Sequence, residues 1–191
     1  MTTFSTFVTG TSTAKVACVR TFKGGYDPQH DYWKALREAI PKSQTSPKGT
    51  ALLDGLMQTI GERKSSNYRL RIASYKRWLN KNKPTWRGGK SRTWSAGGIE
   101  IGVNPELFVD MGDEPYVIKL YFNKDKISGD RANTMLRLME LAYQRGGGYA
   151  EVGVLDLGQG RLITPTRSLE YLDPLLSGEA GSFASVYAAL P

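Results

Sequence analysis

Residues 103–122, VNPELFVDMGDEPYVIKLYF, restrict the fold more than any other stretch of the chain. Two runs rich in leucine, valine, isoleucine and aromatic residues flank an MGDE turn, which is the pattern of two short strands joined as a hairpin. Alternation puts Glu106, Phe108 and Asp110 on one face of the first strand, with Leu107 and Val109 on the other. In the second strand Val117, Lys119 and Tyr121 share a face, opposed to Tyr116, Ile118, Leu120 and Phe122. A lysine inside such a run needs water or a carboxylate for its amine. Glu106 is the candidate across the hairpin, and an ordinary structural hairpin is the plain alternative to a site.

The pattern around this hairpin gives the order of elements. GIEIGV precedes it as a further strand. Ser128 can cap a helix running to about Tyr143, with Met135, Leu136, Met139, Ala142 and Tyr143 on its apolar face. RGGGY breaks that helix, and YAEVGVLDL with RLITP reads as a second hairpin about Gly158-Gln159-Gly160. Asp173-Pro174 starts a closing helix, with Leu175, Leu176, Phe183, Val186 and Leu190 as its core positions. On the N-terminal side, KVACVRTF alternates as a strand over Lys15–Phe22. Asp27-Pro28 then reads as the start of a helix that buries Trp33, Leu36 and Ile40 and stops at Pro41. A second helix from about Thr50 carries Leu52, Leu53, Leu56, Met57 and Ile60 on one face. A third repeats Tyr68, Ile72, Tyr75 and Leu79 and ends near Asn80, followed by an irregular, basic, glycine-rich segment.

These elements imply one domain over 1–191, helical and basic in 1–97 and strand-rich with a closing helix in 98–191. The fold class is α+β (mixed α/β), a central mixed sheet of about five strands flanked by helices.

Two scarcities restrict the chemistry. With one cysteine, Cys18, and one histidine, His30, a Cys/His zinc cluster is excluded. A hydrolase triad would have to use His30, which sits in the turn-like YDPQHDYW and reads as an exposed helix start. Any catalysis therefore falls to carboxylates and lysines. No apolar run approaches the ~20 residues of a membrane helix, so no membrane partner is expected. The first residues, MTTFSTFVTGTSTAK, lack the basic start and apolar stretch of a secretory signal. The single cysteine fits a reducing, cytoplasmic setting.

The charge is concentrated. Between Gly61 and Trp94 there are eleven Lys/Arg against one acid, Glu62, so this segment carries +10 of a chain whose total is +8. A local field of that size points to a polyanionic partner. On the third helix Arg69, Lys76 and Arg77 flank the apolar stripe, and Lys81 and Lys83 follow it. Trp86, Arg87, Lys90, Arg92 and Trp94 continue the pattern, and Trp78 packs the helix inward. Cations neutralise phosphates and rings stack on unpaired bases, so the interleaving suits nucleic acid, single strands slightly more than duplex, and the partner expected is DNA more than RNA.

The strand, NPEL, the hairpin, VIKLYF, a helix and two more strands together resemble the PD-(D/E)XK nuclease superfamily, especially its RecB-like branch, over about residues 98–164. The resemblance implies a restriction-endonuclease-like fold and a Mg²⁺-dependent nuclease. It matches Pro105-Glu106 to the family's Pro-Asp and Lys119 to its lysine, making Glu106 and Lys119 the catalytic pair. Val117 stands where the family has an acid, and the Gln-x-x-x-Tyr of the RecB-like branch is not evident. Glu100 and Glu140 are the candidates to complete a metal set with Glu106, with Asp110 a weaker one. Three readings follow: a divergent nuclease, a non-catalytic nucleic-acid-binding protein on the same fold, and a module whose basic face meets an acidic protein.

Overall fold

The computed structural model describes residues 1–25, 27–144 and 150–191. Helices α1 (Thr2–Val8), α2 (Ser12–Lys23), α3 (Lys34–Thr45), α4 (Ala51–Thr59) and α5 (Glu62–Asn82) come first. Strands β1 (Thr85–Trp86), β2 (Arg92–Ala96), β3 (Ile99–Val103), β4 (Leu107–Met111) and β5 (Glu114–Tyr121) follow. Then come α6 (Gly129–Tyr143), β6 (Glu151–Asp156), β7 (Arg161–Ile163) and α7 (Asp173–Ala189). The class is mixed α+β, with a five-stranded sheet in the order β1-β4-β5-β6-β7 and a separate hairpin of β2 and β3. Strand β5 runs parallel to β6, with α6 as the crossover, and the other neighbours in the sheet are antiparallel. Among the described residues no helix is long and apolar enough to cross a membrane.

Strand alternation divides the core into two layers. Val117, Tyr121, Val152 and Val154 face one way and pack with α1, α2, α6, α7 and the β2–β3 hairpin. Leu107, Val109, Ile118, Leu120 and Leu155 face the other way, against Leu36, Ile40, Leu53, Tyr68, Ile72 and Tyr75 of α3, α4 and α5. The sheet is thus covered on both faces, which explains why β5 is apolar at almost every position.

Several local expectations fail for identifiable reasons. Lys15–Phe22 lies inside α2 and is not a strand. Val19 is fully buried, and Phe22, three residues on, lies against Phe183 and Tyr187 of α7, so the helical period prevails over the alternation. Asp27 does not cap α3, whose N-cap is Trp33. Its carboxylate instead accepts from the Gln29 amide at 2.8 Å within a turn. Pro41 lies within α3, which continues to Thr45 because Leu36, Ala39 and Ile40 are buried in the second core and Ser43 is buried beyond the proline. Leu175 is 46% exposed, although Leu176 and Phe183 are buried as expected. The segment read as irregular contains β1 and β2. The RGGGY run expected to break α6 lies outside the described residues.

The β2–β3 hairpin turns on Gly97 and Gly98, both at positive φ (57° and 80°). A Cβ on Gly97 would stand 2.3 Å from the Gly181 backbone nitrogen of α7, whereas one on Gly98 meets nothing within 4 Å. Gly97→Ala should therefore lower stability by about 3 kcal/mol, combining left-handed strain with a backbone collision. Gly98→Ala should cost only about 1 kcal/mol for the backbone conformation. Urea unfolding of the two variants checks this, and equal midpoints would contradict the close approach.

Candidate acid–lysine site and basic cleft

Pro105 turns the chain into β4, and the Glu106 amide donates to the Ile118 carbonyl at 3.1 Å, extending the ladder one residue beyond the Leu107–Ile118 pair. That register sets Glu106 opposite Lys119. The Lys119 ammonium donates to Glu106 Oε1 at 2.5 Å and to the Asn104 carbonyl at 2.9 Å. Both side chains are nearly closed to solvent, at 7% exposure for the lysine and 8% for the glutamate. The second carboxylate oxygen, Oε2, accepts the Leu120 amide at 2.7 Å. Continued by two residues, the register would set this amide opposite Pro105, which precedes β4 and lies outside the ladder. Glu106 supplies the missing acceptor, so the pair closes the frayed end of the β4–β5 ladder.

The other metal candidates are elsewhere. Glu100 is exposed on β3, at the rim of a separate cavity of about 320 Å³ lined by Met1, Phe4, Phe22 and Phe183. Glu140 on α6 accepts from Arg137 at 2.9 Å, and Arg137 is held in turn by Asp173 at 2.6 and 2.7 Å. Asp110 faces Arg87 at 3.3 Å. Among the described residues no three His, Cys, Asp or Glu side chains gather to hold a metal ion. The buried Val117 offers no ligand, and both oxygens of Glu106 are in use. These residues do not fit a Mg²⁺ site.

The basic segment separates into structural and exposed members. Arg71, which the charge pattern did not single out, is only 5% exposed and donates to the Phe122 and Asn123 carbonyls at 3.1 and 3.0 Å. Lys76 is paired with Asp54 at 2.7 Å. Arg69, Arg77, Lys81 and Lys83 are exposed, and Arg63, Arg77 and Lys81 fall on one stripe of α5 at helical spacing. Lys83 closes α5 in the left-handed conformation (φ 45°), and the chain passes directly into edge strand β1. Trp94 is a core residue, 7% exposed and 6.0 Å from the Phe4 ring, which removes it from any nucleic-acid surface. Trp86 is half-buried against the second core, and Trp78 is buried in it, as expected.

Arg87, Lys90 and Arg92 remain exposed, and they meet at a cleft of about 380 Å³. Its apolar lining includes Phe108, Val117 and Tyr143. The loop that carries the cations is fixed at successive points. The Arg87 amide donates to the Phe108 carbonyl at 2.9 Å. Gly89 lies so close to the Phe108 ring that a Cβ would come within 2.1 Å of it. The Tyr143 hydroxyl lies 2.8 Å from the Lys90 carbonyl and 3.1 Å from that of Val103, its one proton shared between them. Burial pushes that hydroxyl up to about 12, with nearby Arg92 acting in the opposite sense, so it remains a neutral donor at ordinary pH. The Arg92 guanidinium donates to the Ala142 carbonyl at the end of α6 and sits 5.1 Å from the Tyr143 ring centroid. The cleft escaped the sequence reading because Tyr143 and Phe108 lie tens of residues from the loop they hold. No protein-family model, curated protein or solved structure matches this chain.

Proposed function

We propose that this protein binds nucleic acid, DNA in the first instance, without cleaving it, on a scaffold like that of the PD-(D/E)XK nucleases. The observation that carries this reading is a contrast within the chain. The acid–lysine pair is closed on itself, with both carboxylate oxygens bonded inside the fold. The cations of the basic segment are instead largely exposed, from α5 through the β1 edge to the cleft. Exposed cations that neutralise phosphates release counterions, giving affinity that falls steeply with salt. The five-stranded mixed sheet with helices on both faces supports the scaffold part of the reading. The nuclease reading keeps one observation in its favour, that Glu106 and Lys119 meet on one face at the end of the hairpin.

The test joins binding and cleavage in one set of samples. The wild-type protein should shift a labelled DNA oligonucleotide in a salt-sensitive manner and leave plasmid and single-stranded DNA intact in Mg²⁺ or Mn²⁺. Cleavage by the wild type that disappears in Glu106→Gln would restore the nuclease. Failure to bind DNA or RNA at low salt would remove nucleic acid altogether and favour an acidic protein as partner.

A further inference from the structure

We propose that the cleft between the β1–β2 loop, β4, β5 and the end of α6 receives one nucleotide of a single strand. Its phosphate sits on Arg87, Lys90 and Arg92, and its base lies against Phe108 and Val117. This rests on the nucleic-acid reading above and assigns it a place and a preferred form of substrate.

The cleft has the parts such a ligand needs. Among the described residues no carboxylate bonds Lys90 or Arg92, while Arg87 faces Asp110 at 3.3 Å in an exposed pair that a phosphate can displace. The amides of Gly88, Gly89 and Lys90 donate to no described residue, in a loop where Gly88 has a positive φ of 76°. Successive free amides in such a loop suit an anion. The cations are not mobile surface charges alone, because the loop is held by the Phe108 carbonyl, the Phe108 ring and the Tyr143 hydroxyl. A preorganised site loses less freedom on binding. The volume of about 380 Å³ lies in the range of small-molecule sites.

Val117 gives the site its character. It stands at the position of the acid in the nuclease resemblance, and its side chain lines this cleft beside three cations. An acid there would repel the phosphate, whereas valine leaves an apolar floor for a base. A paired and stacked base cannot enter, so a single strand is preferred over a duplex.

The test is fluorescence anisotropy with a labelled oligothymidylate about ten nucleotides long and a duplex of equal length. Lys90→Glu is compared with Lys81→Glu, an identical charge change on α5 outside the cleft. Single-strand affinity should fall more than about tenfold in Lys90→Glu and only about two- to threefold in Lys81→Glu. Phe108→Leu should weaken the single strand about tenfold while leaving the duplex nearly unchanged. Thermal unfolding identifies loss of fold in that variant, and Lys90→Glu on the exposed loop decides the matter independently. Equal losses in Lys90→Glu and Lys81→Glu, or a wild type that binds duplex as well as single strand, would overturn the cleft assignment and leave nucleic-acid binding standing. A wild type that binds neither probe would overturn both.

Discussion

Replacing Lys119 with methionine is expected to destabilise the fold by about 3–5 kcal/mol, because it strands the buried Glu106 carboxylate. Methionine fills nearly the same volume, so the loss comes from charge and hydrogen bonding rather than from a cavity. The carboxylate keeps the Leu120 amide on Oε2 but loses its ammonium partner, and the Asn104 carbonyl loses the Lys119 donor. The double variant Glu106→Gln/Lys119→Met should recover most of the loss, since the glutamine oxygen still accepts from Leu120 and no net charge remains buried. Urea unfolding of the wild type, the two single variants and the double variant measures the coupling. A Lys119→Met protein that unfolds at the wild-type urea concentration would mean the pair is solvated, and the structural role assigned to it would be lost. The double variant should also bind nucleic acid like the wild type, which a phosphate-contacting role for either residue would prevent.

The Glu106–Lys119 pairing was legible because a strand has only two faces and both faces of this sheet are buried. A lysine on a buried face must find its acid among the few residues opposite it. The use of Oε2 was not legible, since it depends on where Pro105 leaves the ladder. The central strands and α6 were read for the same reason as the pair, with strong periodicity and clear stops. KVACVRTF was misread because its short run satisfies both periods, and only the aromatic cluster on α7 decides between them. The β2–β3 hairpin has a signal in the sequence, a two-residue Gly-Gly loop between Ala96 and Ile99, but RTWSA lies in a basic, glycine-rich stretch that reads as irregular. Trp94 looked exposed for lack of local apolar company. Its company is Phe4, ninety residues earlier. The metal set failed similarly, as Glu100 and Glu140 are near Glu106 in a list of acids but are bonded or exposed elsewhere in space.

Charge counts carry a related ambiguity, which Arg71 resolves experimentally. Sequence assigns eleven cations to one segment without saying which of them face a partner. Arg71 faces inward, tying α5 to the end of β5 through two carbonyls, with its guanidinium 5.5 Å from the Trp33 ring centroid. Arg71→Met should cost about 3–4 kcal/mol, the loss of two hydrogen bonds from a charged donor. It should leave the salt dependence of nucleic-acid binding by the folded fraction unchanged. Arg77→Ala and Lys81→Ala should do the reverse, with little effect on stability and a salt slope lowered by about 0.7 each on single strands. Unfolding curves and affinities at four or so salt concentrations separate the two behaviours. If Arg71→Met lowered the salt slope at unchanged stability, the inward assignment would be wrong, and the partner would have to reach the seam between α5 and β5. The opposite pattern fixes the partner's path on the outer stripe of α5, which leads through Lys83 and the β1 edge to the cleft.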